Sequence, residues 1–385
     1  MHPVQETFAS KLPHVGTNIF SVMSQMAQQH GAINLSQGFP DFPVSTELID
    51  RIHHYMKAGF NQYAPMPGVP ALREALAAKM NRQYGTALQA DAHITITAGA
   101  TEAIFSTITT LVNRGDEVII IEPSYDCYAP AIALCGAKSV HIPLQFPELS
   151  VDWQKVEAAI TERTKLIIVN SPHNPTGAII SAEDMQVLSD LVLRHKLWVL
   201  SDEVYEHIIF DGNEHQSVLR YPELAERSVA VYSFGKTFHA TGWKVGYTVA
   251  PEVLTREIRK VHQFVTFSVN TPLQYALADY LANPKHYEAL PSFYQAKRDR
   301  FLELVAPSRF KALPSSGTYF QLLSFEAISQ EPDTEMAIRL TKEFGIASIP
   351  VSVFYHHPTD HHVLRFCFAK SEETLQKAAE VLCKI

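Results

Sequence analysis

The sequence predicts an α/β fold: a mainly parallel sheet with helices on both faces, followed by a smaller α+β unit. Three observations carry this. Between residues 94 and 250, short β-rich runs alternate with helical stretches. Several of those runs are nearly continuous Val, Ile and Leu, as expected for strands buried on both faces. Past about residue 280 the pattern changes to a long charged helical stretch and then sheet-like runs.

The strands expected in the first part are Ile94–Thr97, Glu117–Ile121, Lys165–Asn170, Leu197–Ser201, Ser228–Phe234 and Lys244–Ala250. Helices are expected between most of them, among them Thr101–Asn113 and Ala182–His195. One junction departs from the alternation. Only about ten residues separate the last two runs, and a parallel crossover takes a dozen or more. Those two strands, if neighbours, should therefore run antiparallel. Asn283–Pro284 punctuates the chain, and a helix is expected from Tyr287 to Val305. Sheet runs come next at Thr318–Leu323 and His362–Ala369, and Glu372–Cys383 reads as a closing helix. The expected division is an N-terminal segment, 1–44, packing with a small unit, 283–385, around a large unit, 45–282. The N-terminal segment cannot bury itself alone.

Composition narrows the function classes. Apolar residues make up 46% of the 385 and charged residues 19%, so a sizeable core is expected and disorder is not. The 32 Lys and Arg against 40 Asp and Glu leave a net charge of −8. That argues against nucleic acid or an anionic membrane as partner. No run approaches the length of a membrane span, and Met1 to Phe20 lacks a signal-peptide core. Cys127, Cys135, Cys367 and Cys383 are too few and too scattered for a disulfide scaffold or a structural zinc site. A reducing cytoplasm is the expected compartment. Four histidines crowd the loop from His356 to His362, which reads as a solvated turn, with no metal expected.

Six segments carry candidate chemistry. Ile94–Ala103, ITITAGATEA, places Gly99, Ala100 and Thr101 where a strand turns into a helix, a phosphate cradle or a plain tight turn. Glu122–Tyr128, EPSYDCY, sets Tyr125 after a strand, as a stacking face or a packing residue. In Asn170–Gly177, NSPHNPTG, prolines hold the backbone around Asn174, which is either a positioned amide donor or a turn residue. In Leu200–Tyr205, LSDEVY, Asp202 follows an apolar strand as a helix N-cap or the partner of a buried cation. Tyr205 shares that side if a helical turn starts there. In Tyr232–Gly246, Lys236 follows Ser233, Phe234 and Gly235; lysine is costly to bury unless functional or paired, so it is either a candidate Schiff-base nucleophile or, like Lys244, an exposed lysine. Lys244 is a second cation in an apolar setting. In Val363–Phe368, VLRFCF, alternation sets Arg365 on a mostly apolar face, where its fork suits an anionic partner, either a ligand carboxylate or a structural ion pair.

As a set, the phosphate turn, the Asn-Pro-x-Gly turn, the Asp-x-x-Tyr element and the Ser-x-x-Lys element resemble class I, fold type I, aminotransferases dependent on pyridoxal 5′-phosphate (PLP). The resemblance runs from about Thr17 to the C-terminus. It is nearest the methionine and kynurenine–glutamine branch, on NLSQGFPDF (Asn34–Phe42), NQYAP (Asn61–Pro65), SFGKTF (Ser233–Phe238) and TGWKVGY (Thr241–Tyr247). It implies a mostly parallel seven-stranded sheet in a PLP-binding large domain and a homodimer with shared sites. It also implies roles. Lys236 would be the Schiff-base lysine and the acid/base at the substrate Cα. Asp202 would hold the pyridine nitrogen. Asn174 and Tyr205 would bond the ring oxygen O3′, and Tyr125 would stack on the ring. Gly99, Ala100, Thr101, Ser233 and Lys244 would hold the phosphate, joined by Tyr63 of the neighbouring subunit. Arg365 would clamp the substrate carboxylate with Gly38 and Asn174, and Phe20 and Phe354 would wall the side-chain pocket. Two departures stand out: the stacking residue is Tyr where relatives often have Trp or Phe, and Lys244 replaces an Arg common in the family.

An aromatic-lined pocket favours methionine and aromatic amino acids, with a 2-oxo acid as acceptor. The alternatives are a kynurenine/glutamine-type aminotransferase, a cysteine-S-conjugate β-lyase and, more remotely, a non-catalytic binding protein on the same fold.

Overall fold

The computed structural model describes residues 9–357 and 359–385. Its centre is a seven-stranded sheet. In chain order the strands are β2 (Ile94–Thr97), β3 (Glu117–Glu122), β4 (Lys138–Pro143), β5 (Thr164–Asn170), β6 (Trp198–Asp202), β7 (Ser228–Ser233) and β8 (Gly246–Val249). In space the order is β2-β8-β7-β6-β5-β3-β4. Strands β3 through β7 pair in parallel, and β8 runs antiparallel to both neighbours, β7 and β2. The short β7–β8 connection therefore does what its length requires.

Alternate residues of the central strands enter two different cores. Ile119, Ile121, Ile167, Val169 and Val199 belong to one; Val118, Ile120, Leu166, Ile168 and Leu200 belong to the other. The middle of each strand is thus a continuous apolar run because each face has its own cover. Strand β4 lies at the sheet edge, and most of its residues are only partly buried or exposed. Its sequence, KSVHIP, lacks the apolar run of the other strands, and for that reason the sequence does not predict it. The helix Ala182–His195 falls where expected because its start is chemically marked. Ser181 accepts the Asp184 N–H, and the Asp184 carboxylate accepts the Ser181 N–H.

A second, four-stranded antiparallel sheet has the order β12-β13-β10-β9. Its members are β9 (Lys311–Ala312), β10 (Phe320–Ser324), β12 (Ile349–Pro350) and β13 (Val363–Cys367). The N-terminal β1 (Ile33–Asn34) pairs in parallel with β11 (Ile346–Ala347), and the Leu35 carbonyl accepts the Cys367 N–H. The N-terminal segment thus joins the last quarter of the chain. The helix expected over 287–305 is two pieces, Lys285–Glu288 and Leu290–Val305, because Pro291 can only open a helix. The last strand of the large sheet begins at Gly246, two residues later than expected, because Lys244 adopts left-handed backbone.

Candidate active site

The carboxyl ends of β2, β5, β6 and β7 and the amino end of the reversed β8 meet at one sheet edge. Thr97 and Ser233 both sit opposite Gly246, and Asn170 sits opposite Asp202. Ligands gather at this edge of open α/β sheets. A cleft there encloses about 640 Å³, part of it open to solvent. Gly99, Ala100, Thr101, Tyr125, Asn174, Asp202, Tyr205, Ser233, Lys236 and Lys244 all line it, segments drawn from five different places in the chain.

One end is a cradle. Gly99 has φ +79° and caps the helix Ala100–Leu111, whose first residues line the cleft end and whose first N–H groups have no helical partners. A Cβ on Gly99 would stand 3.3 Å from the Lys244 Nζ, and one on Gly246 would stand 2.6 Å from the Tyr232 carbonyl and 2.9 Å from the Ala100 nitrogen. Backbone, Lys244 and Ser233 therefore converge where bulk is excluded, a geometry suited to an anion.

At the other end lies Asp202. The carboxylate is buried, accepts the Tyr128 hydroxyl at 2.6 Å, and is 3.4 Å from the Val204 N–H. Among the described residues it has no ion pair; it accepts the Val204 N–H of a turn, and no helix begins there for it to cap. Burial pushes its pKa up to about 6, although the Tyr128 hydrogen bond pulls the other way. A buried carboxylate in this state lacks a cation. The protonated nitrogen of a pyridine ring would supply one.

Between the two ends, Lys236 stands in the short helical turn Phe234–Thr237, its Nζ 5.8 Å from the ring centre of Tyr205 and 5.9 Å from that of Tyr319. Burial, then the neighbouring Lys244 charge, draws its pKa down to about 8. An amine so placed is partly unprotonated near neutrality, as a nucleophile for an aldehyde must be. Burial raises the Tyr205 and Tyr125 hydroxyls above the ordinary phenol value, so both remain hydrogen-bond donors.

Arg365 lies beside this cleft, fully buried on β13. Its two NH groups donate to the Asn174 Oδ1 at 2.8 Å and the Ser36 carbonyl at 2.9 Å, and Nε has no partner. No carboxylate pairs with it among the described residues. The structural ion pair allowed by the sequence is absent, and the guanidinium is held by neutral groups. Burial lowers its pKa to about 10. Its Cζ lies 3.8 Å from the ring centre of Phe320, 5.1 Å from Phe20 and 5.7 Å from Phe354. Gly38 closes this corner: a Cβ there would reach 2.8 Å from the Phe320 ring, and its carbonyl accepts the Tyr319 hydroxyl at 2.6 Å. Since Asn174 spends its oxygen on Arg365, its amide nitrogen is left to donate into the cleft.

Tyr63 is the exception. It is 83% exposed, does not line this chain's cleft, and meets the Phe267 ring edge-on at 5.4 Å. Sequence reasoning misses three contributors: Tyr128 beneath Asp202, Phe320 beneath Arg365, and Tyr319 beside Lys236. Tyr128 lies three residues beyond Tyr125 in the EPSYDCY segment, one helical turn away, and that spacing is a signal the sequence does carry. Phe320 and Tyr319 read as ordinary strand residues. The histidine-rich turn is not merely solvated: His356 stacks on His141 at 4.4 Å and His361 on Phe146 at 4.1 Å. Among the described residues no group of three His, Cys, Asp or Glu side chains is arranged to hold a metal.

Residues 30–382 match the model of the family described as aminotransferase class I and II. A methionine aminotransferase of Escherichia coli is 55% identical over 374 residues, covering 97% of each chain. A kynurenine–oxoglutarate transaminase of Dictyostelium discoideum is 35% identical, covering 96% of this chain and 94% of its own. The crystal structure of YbdL from Escherichia coli, identified with a methionine aminotransferase function, superposes with a TM-score of 0.96 at 54% identity, covering 98% of this chain and 99% of that one. The chain belongs to the class I and II aminotransferase family.

Proposed function

We propose that this aminotransferase uses PLP to transfer the amino group of methionine and aromatic amino acids to a 2-oxo acid, as a cytoplasmic homodimer. The observation that carries the proposal is a pair of buried charges of opposite sign, each without an ion-pair partner among the described residues, flanking one lysine. Among the described residues no cation pairs with Asp202 and no anion pairs with Arg365, and burying either charge without a close partner is expensive. A pyridinium ring and a substrate carboxylate are the two groups that balance them. The proposed unit boundaries remain 44 and 282, with the cleft in the large unit and Arg365 supplied by the small one.

Bound in this cleft, PLP supplies an electron sink for the pair left behind when the substrate Cα–H bond breaks. The residues then have separate tasks. Gly99, Ala100, Thr101, Ser233 and Lys244 hold the phosphate. Asp202, held by Tyr128, keeps the ring nitrogen protonated. Asn174 and Tyr205 donate to the ring oxygen, and Tyr125 covers the ring face. Arg365, with Asn174 and the Gly38 backbone, orients the amino acid through its carboxylate, so that the Cα–H bond faces Lys236. The Lys236 amine takes that proton and returns one, and its lowered pKa matches a general base working near neutral pH.

Methionine is favoured because Phe20 and Phe354, 5.8 Å apart, offer aromatic walls, and the relatives include a methionine aminotransferase. Sulfur against aromatic rings is a favourable contact. A panel of amino donors against several 2-oxo acids tests the substrate reading; efficient use of aspartate with no use of methionine would sink it. Lys236→Ala should abolish turnover, and retained turnover would overturn the lysine's role.

A further inference from the structure

The segment carrying Phe354 is pinned from two sides, and one of the pins is a buried carboxylate with no assigned task. Phe354 ends a short 3₁₀ turn, Ser352–Phe354. From one side Asp333 holds the start of that turn, accepting the Ser352 N–H at 2.7 Å and its hydroxyl at 2.6 Å. From the other side the end of β3 and the residues just past it hold the stretch from Phe354 to His356. The Ser124 N–H donates to the Phe354 carbonyl at 2.9 Å, and the His356 N–H donates to the Glu122 Oε1 at 2.6 Å. Glu122 is itself 5% exposed, and the same oxygen lies 2.7 Å from the His141 Nδ1, a close approach whose angle makes no hydrogen bond. The His141 ring then stacks on the His356 ring, 4.4 Å between centres and 6° from parallel.

Glu122 therefore makes two contacts that both end on residue 356, one direct and one through His141. Three residues past Glu122 comes Tyr125, which lines the cofactor end of the cleft. One short piece of chain thus ties the ring-stacking position to a wall of the substrate pocket.

We propose that Glu122 is a positioning residue for substrate selectivity: through the His356 N–H and His141 it holds the 352–357 segment so that Phe354 presses on the substrate side chain. Glu122 touches neither substrate nor cofactor; it acts through Phe354. The inference rests on the proposed role of Phe354 as a wall of the side-chain pocket. An amino acid with a long apolar side chain feels that wall, and alanine does not reach it. Loosening the tether should cost methionine more than alanine, whereas a general loss of structure would cost both alike.

The experiment compares kcat/KM for methionine and alanine in the PLP-loaded dimer, with hydrogen exchange of residues 352–357 measured alongside. Glu122→Ala should lower the methionine-to-alanine ratio about tenfold, mainly through KM for methionine, the size of effect that one poorly filled apolar contact produces. It should also speed exchange in the segment. Glu122→Gln keeps an oxygen for the His356 N–H and should restore most of the ratio. An unchanged ratio with unchanged exchange in Glu122→Ala overturns the proposal, as does Glu122→Gln falling as far as Glu122→Ala. If Glu122→Ala does not fold, His141→Leu removes the stack and one of the two contacts; it should lower the ratio by about threefold, and no change in ratio or exchange overturns the proposal equally. Phe354→Ala separates the two readings. If it leaves the ratio unchanged while Glu122→Ala still speeds exchange, the tether stands as a contact and the pocket assignment is what fails.

Discussion

A half-buried Lys and a buried Asp and Arg are each conspicuous because water is the cheapest place for a charge, and this was the part of the site most legible from residues alone. What the sequence could not convey was the state of each charge. Among the described residues Asp202 is hydrogen-bonded by a hydroxyl and a backbone N–H with no ion pair, and Arg365 by carbonyl oxygens with none. Neither fact is local: Tyr128 lies 74 positions from Asp202, and Asn174 lies 191 from Arg365. The Asp202 pKa of about 6 stands above the unfolded carboxylate value of about 3.9. The cofactor-free fold thus holds this proton more tightly than the unfolded chain does. The stability this contributes is fully present below about pH 4 and is lost as pH rises through about 6. Asp202→Asn should escape that loss, so its melting temperature in cofactor-free protein should gain on the wild type between about pH 4 and pH 7. PLP affinity should move the opposite way, weakening in the wild type as pH falls through about 6, with no such limb in Asp202→Asn. Lys236 gives a matching signature. Its amine should couple to the aldehyde of PLP in cofactor-free protein with a rate rising through about pH 8, measured by borohydride trapping; a midpoint near the ordinary lysine value would contradict the burial seen here. Arg365→Lys keeps the charge but loses the fork. It should raise KM for the amino acid by about tenfold or more, the value of one charge-assisted hydrogen bond.

At the scale of elements, the strands of the sheet interior were readable because both faces are apolar, and the helix Ala182–His195 because its capping box writes its start. Strand β4 was not, since an edge strand needs only one covered side and mixes Lys, Ser and His into its run. The antiparallel return at β8 followed from loop length alone, a constraint stronger than any propensity. What no periodicity reports is the clearance between elements. Gly246 is pressed between the Tyr232 carbonyl and the Gly99–Ala100 peptide, with 2.6 to 2.9 Å left for a side chain. Gly246→Ala should therefore force β7, β8 and the cradle apart, at a cost of about 1–3 kcal/mol in chemical denaturation, with weakened PLP retention. A Gly242→Ala control, at a glycine with no atom within 4 Å of its Cβ position, should leave PLP retention unchanged.

For the whole molecule, the resemblance across nearly all of the chain anticipated the seven-stranded sheet and the family, and it placed one residue that the single chain leaves outside its own site. Tyr63 meets the ring of Phe267, itself 45% accessible, and Phe264, three positions before Phe267 in the chain, is 85% accessible. Exposed apolar rings of this kind suit the interface of the proposed homodimer. In the proposed homodimer it is where Tyr63 crosses to the neighbour's phosphate. Tyr63→Ala should weaken PLP binding by about tenfold or more, the worth of a hydrogen bond to a charged group. Mixing subunits tests the crossing directly. Tyr63→Ala and Lys236→Ala chains, refolded together, should regain turnover, since each hybrid dimer holds one site with both residues intact. No regain would mean that Tyr63 serves its own chain or none.

The reversal of β8 has a topological consequence. Because that strand re-enters the sheet at the same edge its predecessor left, both amines of the cleft, 236 and 244, ride on one stretch whose two ends are stitched to adjacent strands. Their separation is a matter of chain connectivity. A circular permutant whose new termini open this stretch would keep every strand yet release the two nitrogens from each other, and it should fold while failing to retain its cofactor.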